Sequence, residues 1–233
     1  MSKKYSYIGI SFIILLFGIY VVRNIDSRVD KDELIKDSRL NKVNKKLEGK
    51  SSLYKFDKVP AFEFINQNGK IITNNDFKGK VYVVEFFFTT CPTICPIMNK
   101  KMLTIQNEFK DNLNFGIASI SITPEIDTPE VMKTYAKTNG ITHKNWHLLT
   151  GQPEEVVYAL SNKGFKLFVG KGDEDHSGFE HSGLFALIDK QGNIRSRKDK
   201  FGNPIMYYRA LKEQTFPDQI EELKEDIKIL LNE

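Results

Sequence analysis

Val81-Tyr82-Val83-Val84-Glu85-Phe86-Phe87-Phe88 is a nearly unbroken apolar run of β-branched and aromatic residues. Bounded by polar residues, it reads as a strand buried on both faces, and such a strand demands cover on each side. The run leads into Cys91-Pro92-Thr93-Ile94-Cys95-Pro96, and these are the only 2 cysteines in a chain of 233 residues. Pro96 suits the first position of a helix, where its missing N–H costs nothing. Cys95 is then expected at the N-cap and Cys91 in the loop before it. A thiolate there feels the positive end of the helix dipole, which is expected to lower its pKa and keep it reactive. The two sulfurs can meet as a disulfide, structural or redox-active, or as two ligands of one metal.

The remaining pattern supplies neighbours for that strand. Phe62, Phe64 and Ile71-Ile72 flank Asn68-Gly69, a strong hairpin signal. Pro96 to about Phe109 reads as the helix after the central strand, and Phe115 to Ile122 as the next strand. Asp127 or Thr128 can cap a helix from Pro129 to near Gly140. Trp146 to Leu149 reads as a short strand, Glu154 to Lys163 as a helix stopped by Gly164, and Lys166 to Val169 as an edge strand. Leu184 to Asp189 and Asn193 to Arg197 form a second hairpin across Gln191-Gly192. A closing helix over Pro217 to Leu231 lines Ile220, Leu223, Ile227 and Leu230 along one face. Strands alternating with helices after an opening hairpin imply a mixed sheet with helices on both faces.

Residues Tyr5 to Val22 form an apolar run, at the short end for a bilayer span and long for a signal-peptide core. No small-x-small cleavage site follows it, so residues 1–25 are expected to be an uncleaved membrane anchor. Lys3 and Lys4 precede the run, which puts the N-terminus in the cytoplasm and the rest of the chain outside it. Residues 26–55 are rich in charge and read as a tether, with Leu40, Val43 and Leu47 at helical spacing. Residues 56–233 form the expected folded domain. The net charge of +4 sets 34 Lys and Arg against 30 Asp and Glu, spread along the chain. The short cluster Arg195, Arg197, Lys198, Lys200 reads as a solvated strand end, and nucleic acid is not an expected partner.

The opening hairpin, the Gly-Lys before a buried strand and the cysteines between strand and helix resemble the thioredoxin-like fold. The strings Cys91 to Pro96, Asp127-Thr128-Pro129-Glu130, Trp146 to Gly151 and His181-Ser182 resemble the Sco/SenC family. The likeness runs from about Val59 to Leu231. It implies an α/β domain, a thioredoxin-like mixed sheet flanked by helices, preceded by one N-terminal transmembrane helix in a bacterial plasma membrane with the domain outside the cytoplasm. Family members bind copper, as Cu(I) or Cu(II), through the two cysteines and the histidine. They help assemble the copper site of cytochrome c oxidase. The resemblance therefore implies Cys91, Cys95 and His181 as ligands, and as partner a copper-receiving oxidase subunit or another cuproprotein, with a thiol reductant as a further partner. Two departures stand out: Thr123 occupies a position where the family usually carries Asp, and Arg197 to Arg209 is longer than usual.

The donor chemistry agrees with that implication. Two thiolates and one imidazole are soft ligands suited to Cu(I), and are fewer than the four of closed structural zinc. His176 is the candidate fourth ligand if the metal were zinc. His176 and His181 are both followed by Ser-Gly, but only His181 directly precedes an apolar run, Leu184 to Ile188. His147 is expected to pack or face solvent. Asp173, Asp175, Ser177 and Gly178 half-match a calcium loop, which fails because its twelfth position is Leu184. Gly170-Lys171-Gly172 is a turn, not a phosphate loop. The rival activity is a thiol-disulfide oxidoreductase using Cys91 and Cys95. Against it, such enzymes usually place a cis-proline opposite their cysteines, and no proline lies between Pro153 and Pro204. A thiol peroxidase of related fold would resemble its relatives in a Pro-x-x-x-Thr-x-x-Cys string, which is absent here.

Overall fold

The computed structural model describes residues 11–21, 53–171, 179–212 and 216–233. The apolar run becomes β4 (Val81–Phe87), buried at every position. It pairs in parallel with β5 (Phe115–Ser121) on one edge and antiparallel with β9 (Leu184–Ile188) on the other. β5 is likewise buried throughout and pairs in parallel with β6 (Trp146–Thr150). β1 (Tyr54–Lys58), β2 (Glu63–Asn66), β3 (Ile71–Thr73) and β10 (Asn193–Ser196) complete the order β1-β10-β9-β4-β5-β6-β2-β3, and β11 (Tyr208–Arg209) adds to β9. This is the expected mixed sheet: parallel at its centre, antiparallel toward both edges.

Parallel neighbours need long crossovers, and helices supply them. α1 covers residues 11–21. α2 (Cys95–Glu108) joins β4 to β5, and α3 (Pro129–Thr138) joins β5 to β6. After β6 comes α4 (Glu154–Ala159), and the chain ends in α5 (Ile220–Asn232). α5 packs against β4 and α2 and buries Ile220, Leu223, Ile227 and Leu230, the face expected from their spacing. Its first turn starts later than Pro217, because Gln219 is still outside helical geometry.

Several local expectations shift. α4 does not stop at Gly164. It relaxes into a wide turn over Leu160–Phe165 that ends at Lys166, whose φ is +55°. The edge strand expected at Lys166 to Val169 lies instead at β7 (Val169–Lys171), paired only with β8 (Phe179–His181) in a separate two-stranded sheet. The basic cluster divides. Lys198 and Lys200 are exposed, but Arg195 is buried and Arg197 binds Asp226 and Glu225. Burial of Arg195 is possible because Asp189, the Glu233 carboxylate and the Leu53 carbonyl surround it, at 3.0, 3.0 and 3.3 Å.

The chain divides into two compact units, Met1–Lys50 and Ser51–Glu233. Of the apolar run Tyr5 to Val22, only 11–21 lie within the described residues. Among the described residues no helix is long and apolar enough to cross a membrane. The helical spacing at Leu40, Val43 and Leu47 lies outside them.

Removing one partner of a buried ion pair strands the other charge. Arg195→Ala is therefore expected to lower unfolding free energy by about 3–5 kcal/mol in chemical denaturation, because the buried Asp189 carboxylate keeps its hydrogen bonds from Gln191 and Asn193 but loses its cation.

Candidate metal centre

β4 ends at Phe87 because the next residues leave the sheet to reach α2. The Cys91 N–H donates to the Phe88 carbonyl at 3.4 Å, closing the first turn of that connection. α2 begins at Cys95, with Ile94 as the residue before it and Pro96 in second place. Cys95 is thus the first helical residue, not the N-cap expected from the sequence, and Pro96 still falls where an N–H has no helical partner. The Cys95 N–H points at the Cys91 sulfur, 3.5 Å away. The Thr93 hydroxyl lies 3.7 Å from the same sulfur. Both cysteines are buried and are carried as thiols, not as a disulfide.

The expectation of a lowered pKa does not hold for Cys95. Its hydrogen bond to Cys91 and its burial push the thiol well above the ordinary range, against a smaller pull from the Phe88 backbone. Burial and a shared proton outweigh the helix dipole. Cys95 is therefore held as the neutral thiol.

A second feature governs the loop. Asp127 is wholly buried (0% exposed). Its carboxylate accepts from the Thr89 N–H at 3.2 Å, from Ser121 Oγ at 2.6 Å, from Thr123 Oγ1 at 3.1 Å and from the Thr89 hydroxyl. These donors come from the loop before Cys91 and from the end of β5, so one carboxylate ties the two strand ends together. Sequence reasoning offered Asp127 or Thr128 as a helix cap. Thr128 takes that part, its hydroxyl accepting from the Val131 N–H. Asp127 sits one residue outside and clamps the cysteine loop. Thr123 now has a reason: its hydroxyl donates to Asp127, which an ionised Asp at that position would not do.

Beneath Cys95 lies a second buried carboxylate, Glu85 (4% exposed). Ser119 Oγ donates to it at 2.6 Å and in turn accepts from Trp146 Nε1 at 3.0 Å. Glu85, Cys95, Ser119, Tyr135 and Trp146 line a seam too narrow for water. Burial and the charge of Glu85 push the Tyr135 hydroxyl upward.

The histidines separate cleanly. His143 is buried against the Phe109 carbonyl, and burial lowers its pKa. His147 meets Asn66 at 3.1 Å and sits edge-on to Phe77, so it packs. His181 is the last residue of β8, opposite Val169, and three residues later the chain enters β9. β9 runs antiparallel to β4 with Val84 opposite Ala186. Continuing that register sets Leu184 across from Phe86, at the end of β4 from which the cysteines follow. The backbone thus places His181 three residues before the start of β9, the end of that strand that lies toward the end of β4. His176 lies outside the described residues, as does the acidic segment around it. Among the described residues no three His, Cys, Asp or Glu form a group that could hold a metal, and no peptide bond is cis.

A mixed sheet of this order, with two cysteines at the junction of its central strand and the following helix, defines a thioredoxin-like domain with a paired-thiol site. The SCO1/SenC family model matches residues 50–215, and the chain belongs to that family. It is 34% identical over 137 residues to the SCO1 protein homolog of Bacillus subtilis, covering 58% of this chain and 70% of that one. Among solved structures it is similar to BsSco, described as a member of the Sco family of cytochrome c oxidase assembly proteins with a disulfide switch. That likeness has 28% identity and a TM-score of 0.61, over 75% of this chain and 93% of that one. The fold is also that of Bradyrhizobium japonicum ScoI, solved with copper bound, at 24% identity and a TM-score of 0.53, over 75% of this chain and all of that one (100%).

Two outcomes follow from the site. Asp127→Ala leaves several buried donors without an acceptor, so it is expected to cost about 3 kcal/mol in denaturation. It should also speed alkylation of Cys91 in the folded protein, because the loop loses its clamp. The second outcome concerns pH. The folded state keeps the Cys95 proton where an unfolded cysteine, with a pKa of about 8.5, has lost it. Stability of the metal-free thiol form should therefore fall as pH rises above that value, and the fall should shrink in Cys95→Ala.

Proposed function

We propose that this chain is a membrane-anchored copper-binding protein that carries the metal to a cuproprotein, as in assembly of the copper centre of cytochrome c oxidase. The observation that carries the reading is the pair Cys91 and Cys95, held as thiols within contact of each other at the end of β4. Two sulfurs preset at that spacing form a soft bidentate donor that favours Cu(I). His181, on the backbone leading to β9, is the third ligand. Three ligands leave the metal open on one side, which suits a cargo that must be released, whereas structural zinc wants four. Copper binding displaces the proton that the pair otherwise holds so firmly, so loading releases protons. Membership of the SCO1/SenC family supports the same cargo and the same class of recipient.

In this reading residues 1–25 anchor the chain in a bacterial plasma membrane, 26–55 form a tether, and 56–233 form the copper-carrying domain on the extracytoplasmic side. A second reading has the same sulfurs act as a thiol-disulfide oxidoreductase. Loss of two electrons and two protons from Cys91 and Cys95 would form the disulfide while reducing a partner's disulfide to two thiols. The sulfur contact favours that step. The sequence has no proline between Pro153 and Pro204, where thioredoxin-like oxidoreductases usually place one opposite their cysteines, which supports the copper reading over this one.

Competition with a Cu(I) chelator tests the proposal. The reduced chain should take up one copper, and oxidation to the Cys91–Cys95 disulfide should abolish tight uptake. Replacing either cysteine by Ala should weaken binding by more than the roughly 10–100-fold typical of changes outside the ligand set. His181→Ala should weaken it and alter the Cu(II)-thiolate absorption, while His176→Ala should do neither. Equal loss in both histidine variants would favour a four-ligand site.

A further inference from the structure

The segment Arg197 to Arg209, longer than the family resemblance leads one to expect, builds a rigid tip. Asp199 Oδ1 accepts from the N–H groups of Phe201 and Asn203, each at 2.9 Å. The Asp199 N–H donates to the Asn203 carbonyl at 2.7 Å, and Gly202 turns the chain with a φ of +87°. Residues 198–203 are exposed throughout. At the tip Phe201 is 61% exposed, although its turn is fully hydrogen-bonded. Lys200 Nζ lies 5.0 Å from the centre of its ring, and Lys198 stands on the near side of the turn.

Topology places this tip at one end of the sheet. β10 runs antiparallel to β9, and β9 antiparallel to β4, so β10 points the same way as β4. The tip therefore leaves β10 at the end of the sheet that carries Cys91. The first residue of β1, Tyr54, is paired with Ser196, so the chain enters the domain at that end too.

The other exposed phenylalanines of the domain lie there as well. Phe168 (58% exposed) accepts at its carbonyl from the Ser182 N–H, at the mouth of β9. Phe216 (58% exposed) lies under the Arg209 guanidinium at 5.3 Å, and Arg209 pairs with Leu184. Among the described residues of Ser51–Glu233 these are the exposed large aromatics. Aromatic rings flanked by cations, gathered at one end of a domain, match the water–lipid boundary. There a ring enters the headgroup region while Lys and Arg meet anionic phosphates.

We propose that the cysteine-bearing end of the sheet docks on an anionic lipid bilayer through the Phe201 tip, with Lys198 and Lys200 at the headgroups and Phe168 and Phe216 beside it. The proposal rests on the membrane placement in the proposed function, and it turns the copper site toward the membrane surface. Two facts favour a bilayer over a protein partner. The contacts are scattered single rings with exposed lysines beside the Phe201 tip rather than one apolar groove, and the chain enters the domain beside them.

Fluorescence in lipid vesicles tests it. The full chain is prepared as Phe201→Trp and, separately, as Leu113→Trp. Leu113 is exposed just before β5, at the opposite end of the sheet, and native Trp146 is buried and common to both. Each is mixed with vesicles of phosphatidylcholine and phosphatidylglycerol whose acyl chains carry bromine. The Phe201→Trp chain should shift its emission to the blue and lose a large part of it, and the Leu113→Trp chain should do neither. Adding Lys198→Glu and Lys200→Glu should restore the lost emission. Quenching that is absent, equal in the two chains, or unaffected by charge reversal would overturn the proposal, and absent quenching would send the tip to a protein partner. Copper titration of the same preparations judges the metal site separately, so neither failure can be mistaken for the other.

Discussion

Burial of β4 along its whole length is the constraint on which the rest depends. A strand with no exposed face must be paired on both edges and covered on both sides, and here β5, β9 and the packed helices do so. The strand also has to end abruptly, because its parallel neighbour forces a crossover helix. The cysteines occupy that forced turn. Their position is thus set by the fully buried central strand, at the point where it gives way to α2. The same burial reaches the charged residues. Glu85 can sit inside the strand only because Ser119 and Trp146 chain hydrogen bonds to it, and Asp127 only because the donors of two strand ends converge on it.

This arrangement explains how a paired thiol can be both quiet and ready. Sharing a proton in a buried setting keeps Cys95 neutral at physiological pH, so it is a poor nucleophile. In the proposed copper site the cysteine loop would not need to be ordered by the ligand, since Asp127 already clamps it. Less ordering entropy is then lost on binding. A soft cation that displaces the shared proton gains both sulfurs at once.

What could be read from the sequence was what is local. The β4 run, the face of α5 and the hairpin of β9 and β10 follow from periodicity and turn residues, and they appear close to where those signals put them. The places of Cys95 at the start of α2 and of His181 just before β9 were legible through motif strings rather than through periodicity. What escaped depends on partners far along the chain. Asp127 carries the signature of a helix cap, and nothing nearby shows that its oxygens turn to Thr89, 38 residues earlier. Arg195 looks like a member of a solvated basic cluster until Asp189 and Glu233 close around it, the latter 38 residues away. The lowered pKa expected at a helix start failed because the dipole is a small effect beside burial and a neighbouring sulfur. β7 came late because the wide turn after α4 absorbs several residues that the sequence assigned to helix and strand.

The central claim is that Cys91, Cys95 and His181 together hold copper. X-ray absorption at the copper edge of the reduced, copper-loaded chain tests it most directly, because it counts the scattering atoms around the metal by type. The account predicts two sulfurs and one imidazole nitrogen, with the nitrogen lost in His181→Ala. A shell without sulfur, or one whose nitrogen survives that substitution, would contradict it.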